Sequence, residues 1–206
     1  EIGEILHSRY LFDTIIELYD EKATKGNIIR TFEMLQKKLE PDDSLLILYS
    51  GHGYYDKKTE SGFWIPVDAG RDVYQQENWL PNTQVRGLIS NMEATHILLL
   101  VDSCFSGNII EGTRDLEDVN KYFIKAYNRV SRLAITSGSS ETVSDKSEFA
   151  EQLKNILKWN KNSSIDALKM FYEIRDNMRK TMPIFGALND TGHQDGSCFL
   201  LFLKQE

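Results

Sequence analysis

Two unbroken apolar segments constrain the fold of this chain more than any other feature. Ser44–Ser50 (SLLILYS) and residues 95–102 (THILLLVD) carry apolar side chains at consecutive positions. A strand with one solvated face alternates instead, so this pattern indicates strands buried on both faces. Between them and around them the apolar spacing becomes helical, for example from Ile28 to Leu39 after Thr24, a residue type that caps helices. Strands alternating with helices predict an α/β fold with a mostly parallel sheet and helices on both faces.

Weaker signals complete a sheet of about six strands. The 206 residues suit one α/β domain over 1–206 rather than two large ones, and 41% are apolar. Further strands are predicted at 15–19, 132–136 and 198–203, and residues 51–81 are interpreted as a loop-rich stretch. Helices are predicted at 1–10, 83–92 and 116–127, around Phe149 to Leu157, and from Ser163 or Ser164 to Met178.

Charge and cysteine content exclude several functional classes. The net charge of −7 disfavours nucleic-acid binding, which needs a basic surface, and is typical of a soluble acidic protein. The two cysteines, Cys104 and Cys198, provide neither a disulfide framework nor a zinc-ribbon spacing. This fits a reducing compartment, so we expect a cytoplasmic protein. No apolar run approaches the roughly 20 residues that span a bilayer, so no membrane association is expected.

Chemically distinctive residues follow both buried strands. Ser50-Gly51-His52-Gly53 comes directly after the first strand, and Asp102-Ser103-Cys104 ends the second. Ligand sites of open α/β sheets lie beyond the carboxyl ends of the strands, so adjacent strands would bring His52 and Cys104 together. An imidazole beside a thiol can generate the nucleophilic thiolate. Either residue alone is more often structural, as a loop histidine or a packed cysteine, but their shared position favours catalysis.

The chain resembles the caspase, metacaspase and bacterial caspase-like peptidase family. The resemblance is strongest in the YSGHG motif at 49–53, the GFWIPVD motif at 62–68 and the LVDSCFSG motif at 100–107, and fainter at 136–138, 147–149 and 183–202. His52 and Cys104 are 52 residues apart, close to the caspase separation of about 50. The resemblance implies a caspase-type sheet. It also implies a dyad of His52 and Cys104, an oxyanion hole from the backbone N–H groups of Gly53 and Cys104, and Ser137 beside the substrate groove.

Asp102 predicts the specificity. In the family, the residue two before the nucleophile lies in the pocket that reads the substrate side chain. A carboxylate there repels acidic side chains and pairs with Arg or Lys. The alternative is that Asp102 only accepts backbone N–H bonds at the strand end. We therefore expect a cysteine endopeptidase that cleaves after Arg or Lys.

The sequence departs from the family pattern at two places that matter for function. The family's first strand, with the loop after it, would precede Glu1, so we expect the chain to be N-terminally incomplete. The acidic insertion that carries calcium in many metacaspases is absent, and Asp56, Asp68 and Asp72 are interpreted as solvated loop acids. His193 and Cys198 would need further ligands to hold zinc. No metal site is predicted and no cofactor is required; calcium is possible but is not indicated by these residues.

Three alternatives to this function stay open at this point. They are a non-catalytic signalling or scaffold module, a peptidase specific for Asp, and a thiol hydrolase acting on isopeptides or esters. The expected partner is a peptide or protein substrate, and activation could come from a partner protein or a fused sensor domain. Self-cleavage is a further possibility, with Arg114 the favoured target and Lys121 and Lys125 behind it, since Gly112 and Thr113 favour an exposed turn.

Overall fold

A computed structural model describes residues 1–70, 76–103, 110–111, 123–138 and 147–204. The strands are β1 (Ser44–Ser50), β2 (His52–Asp56), β3 (Ser61–Ile65), β4 (Leu80–Pro81), β5 (His96–Asp102), β6 (Ile110–Glu111), β7 (Ser131–Thr136), β8 (Ser164–Asp166), β9 (Ile184–Leu188) and β10 (Leu200–Phe202). The helices are α1 (Ile2–Arg9), α2 (Lys25–Lys38), α3 (Asn82–Ser90), α4 (Phe123–Tyr127), α5 (Glu148–Trp159) and α6 (Ala167–Asn177).

A five-stranded sheet in the order β1-β5-β7-β9-β6 forms the centre of the described structure. β1, β5 and β7 are mutually parallel, while β9 and β6 join by antiparallel pairing. The register places Ser50 opposite Asp102 and Val101 opposite Thr136, so three parallel strands end at one edge. The predicted α/β class with a mostly parallel sheet is confirmed.

The burial of β5 on both faces explains why apolar and polar residues do not alternate in its sequence. All seven of its residues are buried, because its two faces contribute to two separate cores. Leu98 and Leu100 pack with residues of α1, α5 and α6, whereas Ile97, Leu99 and Val101 pack with residues of α2 and α3. The predicted placement of helices on both faces of the sheet is therefore confirmed.

Side-chain caps begin two of the helices, and the first of them confirms the predicted cap at Thr24. The Thr24 side chain accepts a hydrogen bond from the Asn27 N–H at 3.1 Å, which begins α2. Ser147 does the same for α5 by accepting from the Ala150 N–H at 3.2 Å. Both contacts satisfy a backbone donor that the first helical turn leaves unpaired.

Predictions that concerned backbone pairing were less accurate. Residues 15–19 form no strand, although their composition suits one, because strand formation needs a bonded neighbour. The predicted loop 51–81 contains the β2–β3 hairpin with β4 beside β3. The last strand was also misassigned: β9 joins the central sheet through β7, whereas β10 pairs with β8 in a separate two-stranded sheet.

Two helix predictions need qualification. The helix expected from Ser163 or Ser164 begins at Ala167, since Ser164–Asp166 forms β8 and Asp166 accepts the Lys169 N–H at 2.9 Å. The helix expected at 116–127 is described only as α4, Phe123–Tyr127, and the residues before it lie outside the described ranges. Among the described helices, none combines the length and the apolar character needed to cross a bilayer.

Candidate active site

The carboxyl ends of β1 and β5 form the edge at which the predicted site residues lie. Ser50 and Asp102 are register partners, and the Gly51 N–H donates to the Asp102 carbonyl oxygen at 3.2 Å. His52 follows Ser50 by two residues, just as Cys104 follows Asp102 by two residues in the sequence. The structure therefore brings His52 and Asp102 to the same edge, while Cys104 lies outside the described residues.

The His52 backbone is held by a residue that sequence reasoning missed. His52 is exposed and begins β2, where it pairs with Ile65 of β3. The Tyr49 hydroxyl donates to the His52 carbonyl at 2.6 Å and accepts from the Ile65 N–H at 3.2 Å. The Tyr49 ring stacks on Trp64 with centroids 4.1 Å apart, and burial raises the pKa of its hydroxyl. Tyr49 thus joins both strands of the hairpin that carries His52.

Gly51 allows this arrangement. A Cβ atom at Gly51 would lie 3.0 Å from the Tyr49 hydroxyl oxygen, closer than ordinary van der Waals contact. Any larger residue would push the hydroxyl away from its two backbone partners. Two sequence signals pointed to Tyr49: its place at the start of the YSGHG motif, and a polar ring at the end of an otherwise aliphatic strand.

Asp102 has a buried carboxylate that is hydrogen-bonded by two hydroxyl groups. Its side chain is 2% exposed. Ser147 donates to Oδ1 at 2.7 Å and Ser50 donates to Oδ2 at 3.4 Å. Burial raises the pKa of Asp102, and the hydrogen bonds from Ser147 and Ser50 act in the opposite direction. The described partners of the carboxylate are side-chain hydroxyls, unlike the backbone N–H partners of the alternative interpretation.

Ser137 and Ser103 are packed behind the same edge. The Ser137 N–H donates to the Val101 carbonyl at 2.9 Å, and its hydroxyl donates to the Ser103 carbonyl at 3.1 Å. Both serines are at least 97% buried. The Ser137 hydroxyl therefore contacts the carbonyl group of Ser103, the last described residue of this segment. Gly53, the proposed oxyanion donor, is the second residue of β2 and lies opposite Trp64.

The backbone beside Ser137 approaches another segment closely. Gly138 has a φ of +65°, and a Cβ atom there would overlap the carbonyl oxygen of Met182. Glycine is therefore required on both counts. Met182 is 77% exposed, so the chain that enters β9 presents an apolar side chain next to the end of β7.

The acids interpreted as loop residues have structural partners. Asp56 accepts from the Lys58 N–H at 2.9 Å and from the Thr59 hydroxyl, and the Lys58 bond lowers the pKa of its carboxyl. Asp68 accepts from the Lys25 N–H at 2.9 Å at the start of α2. Asp72 lies outside the described residues. Within the described ranges, no group of three or more His, Cys, Asp or Glu residues is arranged to hold a metal ion.

His193 has a backbone contact of its own. Its Nδ1 accepts a hydrogen bond from the Arg132 N–H at 3.1 Å. Cys198 is buried, and burial raises the pKa of its thiol to about 11. A thiol with a raised pKa is a poor nucleophile and a poor metal ligand at neutral pH.

Comparison with protein families assigns this chain to a known family. The family model for the metacaspase, peptidase C14 domain matches residues 2–113, which is more than half of the chain. The matched range includes His52, Asp102 and Cys104. The chain belongs to the metacaspase family. It is thus a member of the caspase-like cysteine peptidases, as the sequence motifs predicted.

Curated metacaspases show the same relationship over about half of the chain. Metacaspase-1B of Aspergillus fumigatus is 32% identical over 125 residues, which cover 53% of this chain and 30% of the relative. Metacaspase-1 of Scheffersomyces stipitis is 33% identical over 118 residues, which cover 51% of this chain and 28% of the relative. The match therefore spans less than a third of the length of each of these metacaspases.

A solved structure supports the fold independently. The crystal structure of a Geobacter sulfurreducens protein superposes with a TM-score of 0.58 at 18% sequence identity. The match covers 88% of this chain and 81% of the other. The fold of this metacaspase-family chain is thus shared with a solved protein across most of its length.

Proposed function

We propose that this chain is a cysteine endopeptidase that hydrolyses peptide bonds after Arg or Lys, with Cys104 as nucleophile and His52 as general base. The observation that carries the proposal is the β1–β5 register, in which Ser50 lies opposite Asp102. Neighbouring strands are about 4.8 Å apart. His52 and Cys104 follow these register partners at the same sequence distance, and two residues of chain reach at most about 7 Å. These distances allow the imidazole and the thiol to meet at this edge of the sheet.

The reaction proceeds through an acyl-enzyme. His52 takes the Cys104 thiol proton, and the thiolate attacks the substrate carbonyl carbon. Backbone N–H groups of Gly53 and Cys104 stabilise the oxyanion of the tetrahedral intermediate. As the C–N bond breaks, His52 returns the proton to the leaving amine. Water then attacks the thioester with His52 again as base, which releases the carboxylic acid and restores the thiol.

Asp102 supplies the specificity in this proposal. Its carboxylate is buried, so water screens its charge poorly and an ion pair formed there is strong. An acidic substrate side chain in the same pocket would be repelled. An ionised carboxylate accepts at about four positions, and two of these receive the Ser50 and Ser147 hydroxyls. The other described residues occupy neither of the two remaining positions, which matches a bidentate guanidinium.

A positional scan of fluorogenic peptides tests the proposal. The peptides differ only in the residue before the scissile bond, with Arg, Lys, Asp, Asn, Leu and Ala compared, and Cys104→Ala serves as the inactive control. We expect kcat/KM for Arg and Lys to exceed that for Asp by at least about a hundredfold. Equal or better turnover of the Asp peptide would refute the basic specificity.

Two further outcomes separate the alternatives. Absence of turnover for every peptide, together with a Cys104 thiol that reacts with iodoacetamide no faster than a free cysteine, would favour a non-catalytic module. Hydrolysis of ester or isopeptide substrates without peptide turnover would favour a thiol hydrolase with another substrate class. The activating partner or sensor domain belongs to the same proposal and would show as stimulation of turnover when such a protein or domain is added.

Self-cleavage can be assessed in the same preparation. Arg114 and Lys121 lie outside the described residues, and Lys125 is an exposed residue of α4. Proteases act on extended segments, so helical Lys125 is the least suitable of the three. Mass spectrometry of the parent protein beside Cys104→Ala should show a fragment ending at Arg114 only in the parent. An intact and active chain would remove self-cleavage from the proposal.

A further inference from the structure

The serine that begins α5 also contacts the proposed specificity acid. Ser147 Oγ accepts the Ala150 N–H at 3.2 Å and lies 2.7 Å from Asp102 Oδ1. The Ala150 N–H occupies one lone pair of the Ser147 hydroxyl oxygen. An ionised carboxylate can only accept hydrogen bonds, so it cannot donate one to this oxygen. The hydroxyl proton of Ser147 therefore points to Asp102. This contact joins residues 45 positions apart in the sequence.

The position of Ser147 is itself fixed by the next residue. Glu148 accepts from the Arg179 N–H at 3.1 Å and from the Lys180 N–H at 3.0 Å, one through each carboxylate oxygen. These two bonds connect the start of α5 to the segment that leads to Met182, next to Gly138. The amino-terminal turn of α5 is thus held from both sides, so the Ser147 hydroxyl has little freedom to leave Asp102.

Ser50 is the weaker of the two hydroxyl contacts. It reaches Oδ2 at 3.4 Å, near the limit for a hydrogen bond, whereas the Ser147 contact has the 2.7 Å length typical of a hydroxyl bound to a carboxylate. Among the described residues, burial and these two hydroxyls account for the pKa shift of Asp102, and Ser147 is the larger counterweight. Removal of its hydroxyl should therefore make the carboxylate harder to ionise.

We propose that Ser147 is a positioning residue for substrate specificity, which orients the Asp102 carboxylate and stabilises its negative charge so that it can bind a substrate Arg or Lys side chain. The inference rests on the proposed role of Asp102. It assigns to a helix-capping hydroxyl a second task that the cap alone does not require. Ser147 acts through Asp102 and contacts no reacting atom in this proposal.

The decisive variant is Ser147→Gly. Glycine is nearly as good a capping residue as serine, so α5 and its contacts should persist while the hydroxyl is lost. We expect KM for Arg and Lys peptides to rise about tenfold with little change in kcat, because a hydrogen bond to a charged group is lost. Ser147→Thr, which keeps a hydroxyl at the same position, should restore KM to within about threefold of the parent.

The pH profile distinguishes positioning from a merely structural role. Without the Ser147 hydroxyl, Asp102 takes up a proton at higher pH, so the acid limb of kcat/KM for Arg peptides should move to higher pH. The proposed catalytic pair, His52 and Cys104, is the same in both proteins, so a difference between their acid limbs reports on Asp102. Thr24→Ala is the matched control, since it removes an equivalent cap from α2 and touches no carboxylate. It should lower stability without moving KM or the acid limb.

Direct titration keeps the inference testable apart from activity. In a Cys104→Ala background, the carboxyl carbon of Asp102 can be followed by NMR with and without Ser147→Gly, and its titration midpoint should rise in the variant. If the parent cleaves after Arg and Lys but Ser147→Gly changes neither KM nor this midpoint, the inference is wrong and the proposed function stands. If the parent fails to cleave after Arg or Lys, the proposed function fails, and an unchanged midpoint would then overturn the Ser147 contact as well.

Discussion

Ionisable side chains are buried at both ends of the central sheet, but they bind different kinds of hydrogen-bond partner. At the amino end of β5, His96 is 5% exposed, stacks on Tyr127 and donates from Nε2 to the Tyr127 carbonyl at 2.7 Å. At the amino end of β7, Arg132 is 4% exposed and donates to the Met92 carbonyl at 3.0 Å. At the carboxyl end of β5, Asp102 is bound by the hydroxyls of Ser50 and Ser147.

The difference lies in the partners. Backbone carbonyls are fixed in place, and a donor that binds them is committed to a structural role. The two hydroxyl groups at Asp102 occupy only part of the accepting capacity of the carboxylate, which leaves lone pairs open to an incoming ligand. The same strand β5 therefore begins at a structural histidine and ends at a residue suited to binding. Accordingly, His96 is buried against a backbone carbonyl at the amino end of β5, whereas His52 is exposed at the opposite edge of the sheet.

The largest expected effect separates these two histidines. His52→Ala should lower kcat by about 10²–10⁴-fold, because a general base is removed. His96→Gln retains a hydrogen-bond donor and should keep kcat within about threefold of the parent. Steady-state kinetics on an Arg peptide measures both. Similar losses in the two variants would contradict the division between the two ends of the sheet.

Asp102→Asn should produce the next largest effect, with opposite signs for activity and stability. Turnover after Arg or Lys should fall at least about tenfold, because the substitution removes the buried charge that we propose pairs with the substrate. The free energy of unfolding at neutral pH should rise by about 1 kcal/mol, because the neutral amide avoids the cost of burying a charge. Residues kept for function commonly carry such a cost in stability.

The pH dependence of that stability gain follows from the raised pKa of Asp102. The folded protein takes up the proton at higher pH than the unfolded chain, so the cost of the buried charge is fully present above the folded pKa. It is relieved as the pH falls through that pKa. Urea unfolding of Asp102→Asn and parent should therefore converge on acidification. Asp13→Asn, at an exposed position, is the control, and a large loss of stability in Asp102→Asn would show that the carboxylate is structural.

Tyr49→Phe tests whether the backbone at His52 needs its hydroxyl support. The substitution leaves the His52 carbonyl and the Ile65 N–H without their shared partner, so stability should fall by about 1–3 kcal/mol. We expect kcat to fall about tenfold, since small displacements of a catalytic group are costly. Tyr54→Phe, on the same strand β2, is the matched control. Loss of stability with unchanged kcat would restrict Tyr49 to a structural role.

The smallest effect concerns His96 and acid stability. Burial, with a smaller contribution from Arg132, lowers the pKa of His96, so the folded protein holds the ring neutral. Below the ordinary imidazole pKa of about 6.5, the unfolded chain takes up a proton that the folded state does not. Stability should therefore decline as the pH falls below that value, and His96→Gln should reduce the slope. Denaturation between pH 8 and 5 measures it, with exposed His7→Gln as control. An unchanged slope would contradict a neutral buried His96.

Sequence patterns were reliable where the interactions are local or where burial is complete. The run Ser44–Ser50 and the run before Asp102 predicted β1 and β5, because complete burial leaves only apolar residues acceptable at successive positions. Thr24 predicted a helix start because its capping bond reaches only three residues along the chain. The motifs around His52 and Cys104 identified the family, which the family match confirmed.

What the sequence alone determined is therefore the α/β class, the two buried strands and the family, since burial and local capping act through residue type. The tertiary structure alone decided which strands pair: β9 was not predicted to join β7, and residues 15–19 do not form the predicted strand. It also decided that Tyr49 supports His52 and that Ser147 binds Asp102. Pairing and hydrogen bonding across 45 residues depend on which segments the folded backbone brings together, and residue type does not encode that distance.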